Sequence, residues 1–394
     1  MDILWQKNEM GQKDASVSLM AQQEVERARD FHQSFPQYTE TPLVSLSGLA
    51  KSLGVAGIYV KDESKRFDLN AFKVLGGSYA MGRYIAQLLH CDIAELPYER
   101  LISDEVRKQI GEVTFFTATD GNHGRGVAWA ANQLGQKSVV YMPKGSAPYR
   151  LEKIRQEGAT ATIEEMNYDD AVRLADKQSK NVPNGVVVQD TAWDGYEEIP
   201  TWIMQGYGTM AWEADDQLEK LGVRPTHVLV QAGVGSLAGA VQGYFAAKYG
   251  ENCPHTSIVE PHAANCHYKS AVAKSYQTVG GDLFTLMAGL ACGEPNTISW
   301  ELLKSWSDLF ISCPDEIAAD GMRIAAHPTG GDEAFISGES GAPGLGLVAK
   351  VMQEENLKDL RDALGFDEHS HILLFSTEGD TDPETYQKII GGGK

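Results

Sequence analysis

"EVTFFTATDGNHGRGVAWAANQLGQKSVVYMP", residues 112–143, decides the fold. A strand-length run of β-branched and aromatic residues enters a glycine-spaced turn. A small-residue helix follows, and a second apolar run begins at Lys137. The pattern then repeats. "ATATIEE" (159–165) and "GVVVQD" (185–190) have strand length and composition, while "SAPYRLEKIRQEG" and "NYDDAVRLADKQSKN" read as helices between them. Gly135 and Gly158 stand where helices end, and Asn167 ahead of Asp169 and Asp170 makes an N-cap with an acidic first turn. The order β-α-β-α-β-α-β predicts a parallel sheet with helices on its faces.

A second β/α series lies outside this run. "THVLVQAGVGSLAGAVQGYFAAKYG" (226–250) is a strand, a glycine-rich turn and a long helix. "GIYVKDES" (57–64), "HTSIVEP" (255–261) and "HILLFSTEGD" (371–380) read as further buried strands. The fold class is therefore α/β, with two open, mainly parallel α/β domains. Residues 81–184 are expected to form a small domain inserted into a larger one made of 1–80 and 185–394. Ligands of open α/β sheets bind beyond the carboxyl ends of the strands.

Bulk composition narrows the function. The 394 residues are 42% hydrophobic and 22% charged, ample for a globular core. A net charge of −20, from 34 basic and 54 acidic residues, opposes nucleic acid as a partner. No run approaches the roughly 18 apolar residues of a membrane span, so no membrane partner is expected. The opening "MDILWQKNEMGQKDASVSLM" lacks a basic region followed by an apolar one, so the expected location is cytoplasmic. The five cysteines, at 91, 253, 266, 292 and 313, show no metal-type spacing and read as scattered thiols; no metal site is expected.

Four strand-end stretches carry chemistry. "LNAFKVLGGSYA" (69–80) sets Lys73 in an apolar run before Gly76 and Gly77, either a surface lysine with a covered stem or a buried amine. "QAGVGSLAG" (231–239) passes through Gly233, Val234, Gly235, Ser236, Leu237 and Gly239 into a helix. Its inward N–H groups make a phosphate cradle, or else its small residues only let strand and helix pack closely. It has neither a Walker lysine nor dinucleotide spacing. "TATDGNHGRG" (117–126) offers Asp120 and Asn122, with His123 favoured as a capping or core histidine and an N-cap the alternative for Asp120. "LLFSTEGD" (373–380) ends on the hydroxyls of Ser376 and Thr377. A lysine, a phosphate cradle, an amide and a late hydroxyl are the parts that hold pyridoxal phosphate.

The same stretches resemble a known family. "KDESKRFDLNAFKVLGG", "TDGNHGRG", "GVGSLAG" and "STEGD" are similar, in order, to the lysine, asparagine, phosphate and ring-nitrogen segments of fold-type-II pyridoxal-phosphate enzymes. "AFKVLGGSYA", "TATDGNHGRGVAWAA", "DTAWDGYEEIP" and "MAGLACGEPN" more closely resemble the diaminopropionate ammonia-lyases. The resemblance implies pyridoxal 5′-phosphate anchored on Lys73, with its phosphate within 233–239. It places Asn122 at the phenolic oxygen and Ser376 or Thr377 at the ring nitrogen. It implies α,β-elimination from D- and L-2,3-diaminopropionate, giving pyruvate and ammonia, by a homodimer. Asp120 stands where the dehydratases of this fold carry serine, so it and Asp190 are expected to be catalytic, with Lys73 the base for the L form and Asp120 for the D form. A capping role is the alternative for Asp190. A serine or threonine dehydratase, or a non-catalytic carrier of the cofactor, are the alternative functions.

Overall fold

The computed structural model of the protein describes residues 2–119 and 121–391. The 112–190 run builds the smaller of two sheets from β4 (Thr114–Ala118), β5 (Lys137–Met142), β6 (Thr160–Ile163) and β7 (Gly185–Val187). Their order is β6-β5-β4-β7, all parallel. The larger sheet takes β1 (Leu4–Lys7), β2 (Leu43–Ser45) and β3 (Gly57–Asp62) from before that run. It takes β8 (His227–Gln231), β9 (His255–Pro261), β10 (Leu309–Cys313) and β11 (His371–Ser376) from after it. The order is β1-β10-β9-β8-β11-β3-β2, parallel except at the two edges.

Local chemistry accounts for these elements. The helix Asn122–Gln133 starts directly after Gly121 in the turn following β4, and Gly135 (φ +63°) and Gly158 (φ +97°) take the left-handed backbone that ends helices. The Asn167 side chain accepts from Asp170 N (2.9 Å) at the start of Tyr168–Ser179, as its N-cap position predicts. β4, β8 and β11 are buried on both faces or nearly so, as strands inside helix-covered parallel sheets must be. No helix among the described residues is long and apolar enough to cross a membrane.

The expected segment boundaries shift in two places. β7 pairs in parallel with β4, so the smaller sheet runs through Val187 rather than ending at 184. The helix Val74–Leu89 runs unbroken through position 80 and packs tightly on both sides. A Cβ on Gly76 would lie 2.6 Å from Ile203 and Tyr207, and one on Gly126 would lie 2.8 Å from Val74 N. One apolar cluster accordingly joins residues of both segments, among them Leu75, Val127, Ile203 and Tyr207.

Candidate active site

The carboxyl ends of β4, β7, β8 and β11 converge on one cavity, and Lys73 enters it from the start of the helix Val74–Leu89. The approach to Lys73 is conformationally unusual. Phe67, Asp68 and Asn70 all have positive φ (+50°, +58°, +61°), which non-glycine residues adopt only when their surroundings enforce it. Here the enforcement is visible. Arg66, fully buried, donates to Glu63 (2.8 and 2.9 Å) and to Glu213 (2.7 and 2.8 Å). At the other end, Gly379 N donates to Asn70 O (3.0 Å) and Phe72 N to Thr377 O (3.1 Å). The lysine loop is thus fastened to the loop after β11.

Lys73 is not a surface lysine. Its side chain is 18% exposed, its Nζ pairs with Asp190 Oδ2, and the rings of Phe72 and Tyr207 lie 5.5 and 5.9 Å away. Asp190, 1% exposed, also accepts from the hydroxyls of Tyr168 and Tyr207 and from Gln189 Nε2, each at 3.4 Å. Burial pushes its carboxyl up, but the Lys73 ammonium paired with it outweighs burial and holds it below the usual carboxylate range. Its side chain is therefore engaged with the lysine rather than with a local cap. His123 is buried, with Nε2 2.8 Å from Val188 O and Nδ1 3.9 Å from Asp190. Burial holds His123 below its usual range, so at neutral pH it is an uncharged wall residue.

The glycine loop after β8 opposes the lysine. Gly233, Val234, Gly235, Ser236 and Leu237 line the cavity at the N-terminus of the helix Ser236–Tyr249. Gly235 has φ +97°, and a Cβ there would lie 2.4 Å from His267 Nε2. Gly239 sits elsewhere: a Cβ on it would lie 2.6 Å from Ser299 Cβ, so this glycine serves packing against the helix Thr297–Trp306. Ser236 Oγ donates to the Asp190 carbonyl and accepts from Asn296 Nδ2 (2.8 Å), which ties the cradle to β7.

The two hydroxyls after β11 part company. Thr377 lines the cavity, accepts from Gln231 Nε2 (3.1 Å) and donates to Ser340 O (3.3 Å). Ser376 Oγ instead donates to Ser337 Oγ (2.7 Å), away from the cavity. Asn122 lines the cavity and donates through Nδ2 to Glu378 Oε2. Glu378 was not singled out from the sequence, although an acid at a strand's carboxyl end, as at Asp190, was a signal available there. Asp120 lies outside the described residues; its neighbour Thr119 lines the cavity.

Residues 35–361 match the family described as pyridoxal-phosphate dependent enzyme. The chain belongs to that family. It is 53% identical over 384 residues to the diaminopropionate ammonia-lyase of Salmonella typhimurium, covering 96% of this chain and 95% of the relative. Two crystal structures of the Escherichia coli diaminopropionate ammonia-lyase superpose over the whole chain and 98% of their own. The complex with D-serine has a TM-score of 0.94 at 48% identity, and the complex with an aminoacrylate-PLP azomethine reaction intermediate has 0.93 at 47%. The two-sheet architecture is thus that of the fold-type-II pyridoxal-phosphate enzymes.

Pyridoxal phosphate is the cofactor, and the residues present fit it. Gly235 leaves the helix N-terminus bare where any side chain would collide, and His267 Nε2 behind it is buried without a hydrogen-bond partner among the described residues. Glu260 holds the other ring nitrogen of His267 (2.9 Å). A helix N-terminus backed by an imidazole suits a phosphate, and an amine across the cavity suits an aldehyde.

Proposed function

We propose that the protein is a diaminopropionate ammonia-lyase that converts D- and L-2,3-diaminopropionate to pyruvate and ammonia. The observation that carries this reading is the 53% identity to such an enzyme along nearly the full length of both chains. The site supports it with the Lys73–Asp190 pair facing the glycine cradle.

Lys73 is the covalent anchor, and Gly233, Val234, Gly235, Ser236 and Leu237 hold the phosphate. Asn122 would hold the phenolic oxygen and Thr377, a neutral hydroxyl, the ring nitrogen. Pyridoxal phosphate, when bound, supplies the electron sink that makes the substrate's α-proton acidic. The Lys73 amine would take the α-proton of the L form at Nζ, and the Asp120 carboxylate that of the D form. Asp190, held ionised, orients Nζ and stabilises the ammonium that results. The rings of Phe72 and Tyr207 flank the amine. The same reading carries a cytoplasmic homodimer, which light scattering tests.

The deciding experiment is pyruvate release by the purified holoenzyme from D- and L-2,3-diaminopropionate, with D- and L-serine alongside. Turnover of both diamino enantiomers is expected. Turnover of hydroxy amino acids alone would make the protein a dehydratase.

A further inference from the structure

Two buried carboxylates repel one another beyond the carboxyl end of β11, and only one is saturated. Glu378 accepts from Ser340 N (2.8 Å), from Thr381 Oγ1 (3.2 Å) and from Asn122 Nδ2. Glu339 is 2% exposed, and its Oε2 has no hydrogen-bond partner among the described residues. Burying a carboxylate oxygen without a partner is costly, and such atoms are rare in native proteins. The cost is imposed by rigid neighbours. Ser337 accepts from Ser376 Oγ (2.7 Å), Gly338 N donates to Glu378 O (2.9 Å), and Ser340 N donates to the Glu378 carboxylate. Glu339 is therefore fixed from both sides while its Oε2 is left wanting a donor.

Glu339 borders a cleft of about 260 Å³ that adjoins the cofactor cavity, with Tyr168 and Cys292 forming walls of both. Asp282, Asp382, Arg150 and Lys144 also border this cleft. Lys144 lies on the outer rim, 70% exposed and paired with Glu165 (2.9 Å). Arg150 donates to Thr381 Oγ1 (3.3 Å). Burial first, and then Glu378, push the Glu339 carboxyl up to about 7; Asp382 adds to this and Arg150 opposes it. A small cation with N–H donors would satisfy Oε2 and relieve the repulsion from Glu378.

We propose that Glu339 receives the distal ammonium of a 2,3-diamino acid, so that it selects a diamino substrate over a hydroxy amino acid. The assignment deepens, and rests on, the ammonia-lyase reading. D-serine is the natural comparison, being close in size to the diamino substrate and lacking the second amine.

The test uses the holoenzyme and its Glu339→Gln variant, which keeps shape and removes charge. KM for both diaminopropionate enantiomers is expected to rise about tenfold or more, while the D-serine dissociation constant, from spectral titration of the bound cofactor, moves less than twofold. Where Glu339→Gln does not accumulate folded, Glu339→Asp, charged but shorter, is expected to show a smaller loss confined to the diamino substrate. Equal losses for diaminopropionate and D-serine, or no loss for either, overturn the assignment. A wild-type enzyme that releases no pyruvate from diaminopropionate refutes the lyase reading itself.

Discussion

Replacing Gly235 and Gly239 by alanine, one at a time, separates the phosphate cradle from its packing. At Gly235 the backbone is left-handed (φ +97°), which costs an L-residue about 1–2 kcal/mol. The new Cβ would also lie 2.4 Å from His267 Nε2 and 2.9 Å from Ser299 Oγ. Relieving that overlap costs about 1–3 kcal/mol more. The His267 ring is held by Glu260 and has little room to give. Much of the cost therefore falls on the loop that holds the phosphate, and since about 1.4 kcal/mol is tenfold in affinity, cofactor affinity is expected to fall at least tenfold. Gly239 lies one helical turn on. Its overlap with Ser299 Cβ (2.6 Å) costs a similar about 1–3 kcal/mol, partly offset by the roughly 1 kcal/mol alanine gains in a helix. Gly239→Ala is expected to lose up to about 2 kcal/mol in urea unfolding of the apoprotein, with cofactor affinity within threefold of wild type. Spectral titration of apoprotein with pyridoxal phosphate reads the affinities. Equal loss of affinity in both variants, or wild-type affinity in Gly235→Ala, refutes the reasoning.

Glu213→Gln breaks the buried cluster in which Glu213 accepts from Arg66 and pairs with Lys61 (2.7 Å), leaving cations short of charge; a loss of about 3–5 kcal/mol in chemical unfolding is expected, and under 1 kcal/mol would show the cluster to be dispensable. His32 is buried between Thr209 Oγ1 and Leu75 O (2.9 Å each), and burial pushes it down to about 3. The unfolded chain therefore binds the extra proton first, so the stabilisation from neutral His32 is complete above about 6.5 and is lost as pH falls from there toward 3, by at most roughly 5 kcal/mol. Stability curves of wild type and His32→Gln between pH 7 and 4 check this, the variant's being the flatter. Asp120→Asn is expected to lower kcat/KM for D-diaminopropionate at least a hundredfold while sparing the L form tenfold or better, and equal losses for both enantiomers would end the division of labour between Asp120 and Lys73.

The sequence by itself determined what is local. The parallel βα run of 112–190, the helix ends at Gly135 and Gly158, the Asn167 cap and the glycine turn after β8 are each written in a few consecutive residues, because backbone conformation and hydrophobic periodicity are short-range properties. Lys73 was legible as an unusual lysine for the same reason. The edge strands β1 and β2, of four and three residues, are too short to carry a periodicity, and only pairing with β10 and β3 defines them. Tertiary structure alone decided the partners: Lys73 with Asp190, Asn122 with Glu378, and Arg66 with Glu213. It also turned Thr377 rather than Ser376 to the cavity, set Gly239 against Ser299, and left Glu339 buried with an unmet oxygen. Each of these pairs joins segments distant in sequence that meet only through the packing of strands and helices. Charge and hydrogen-bonding energies depend on separation in space and on burial, and both are properties of the packed sheets rather than of any one stretch of chain.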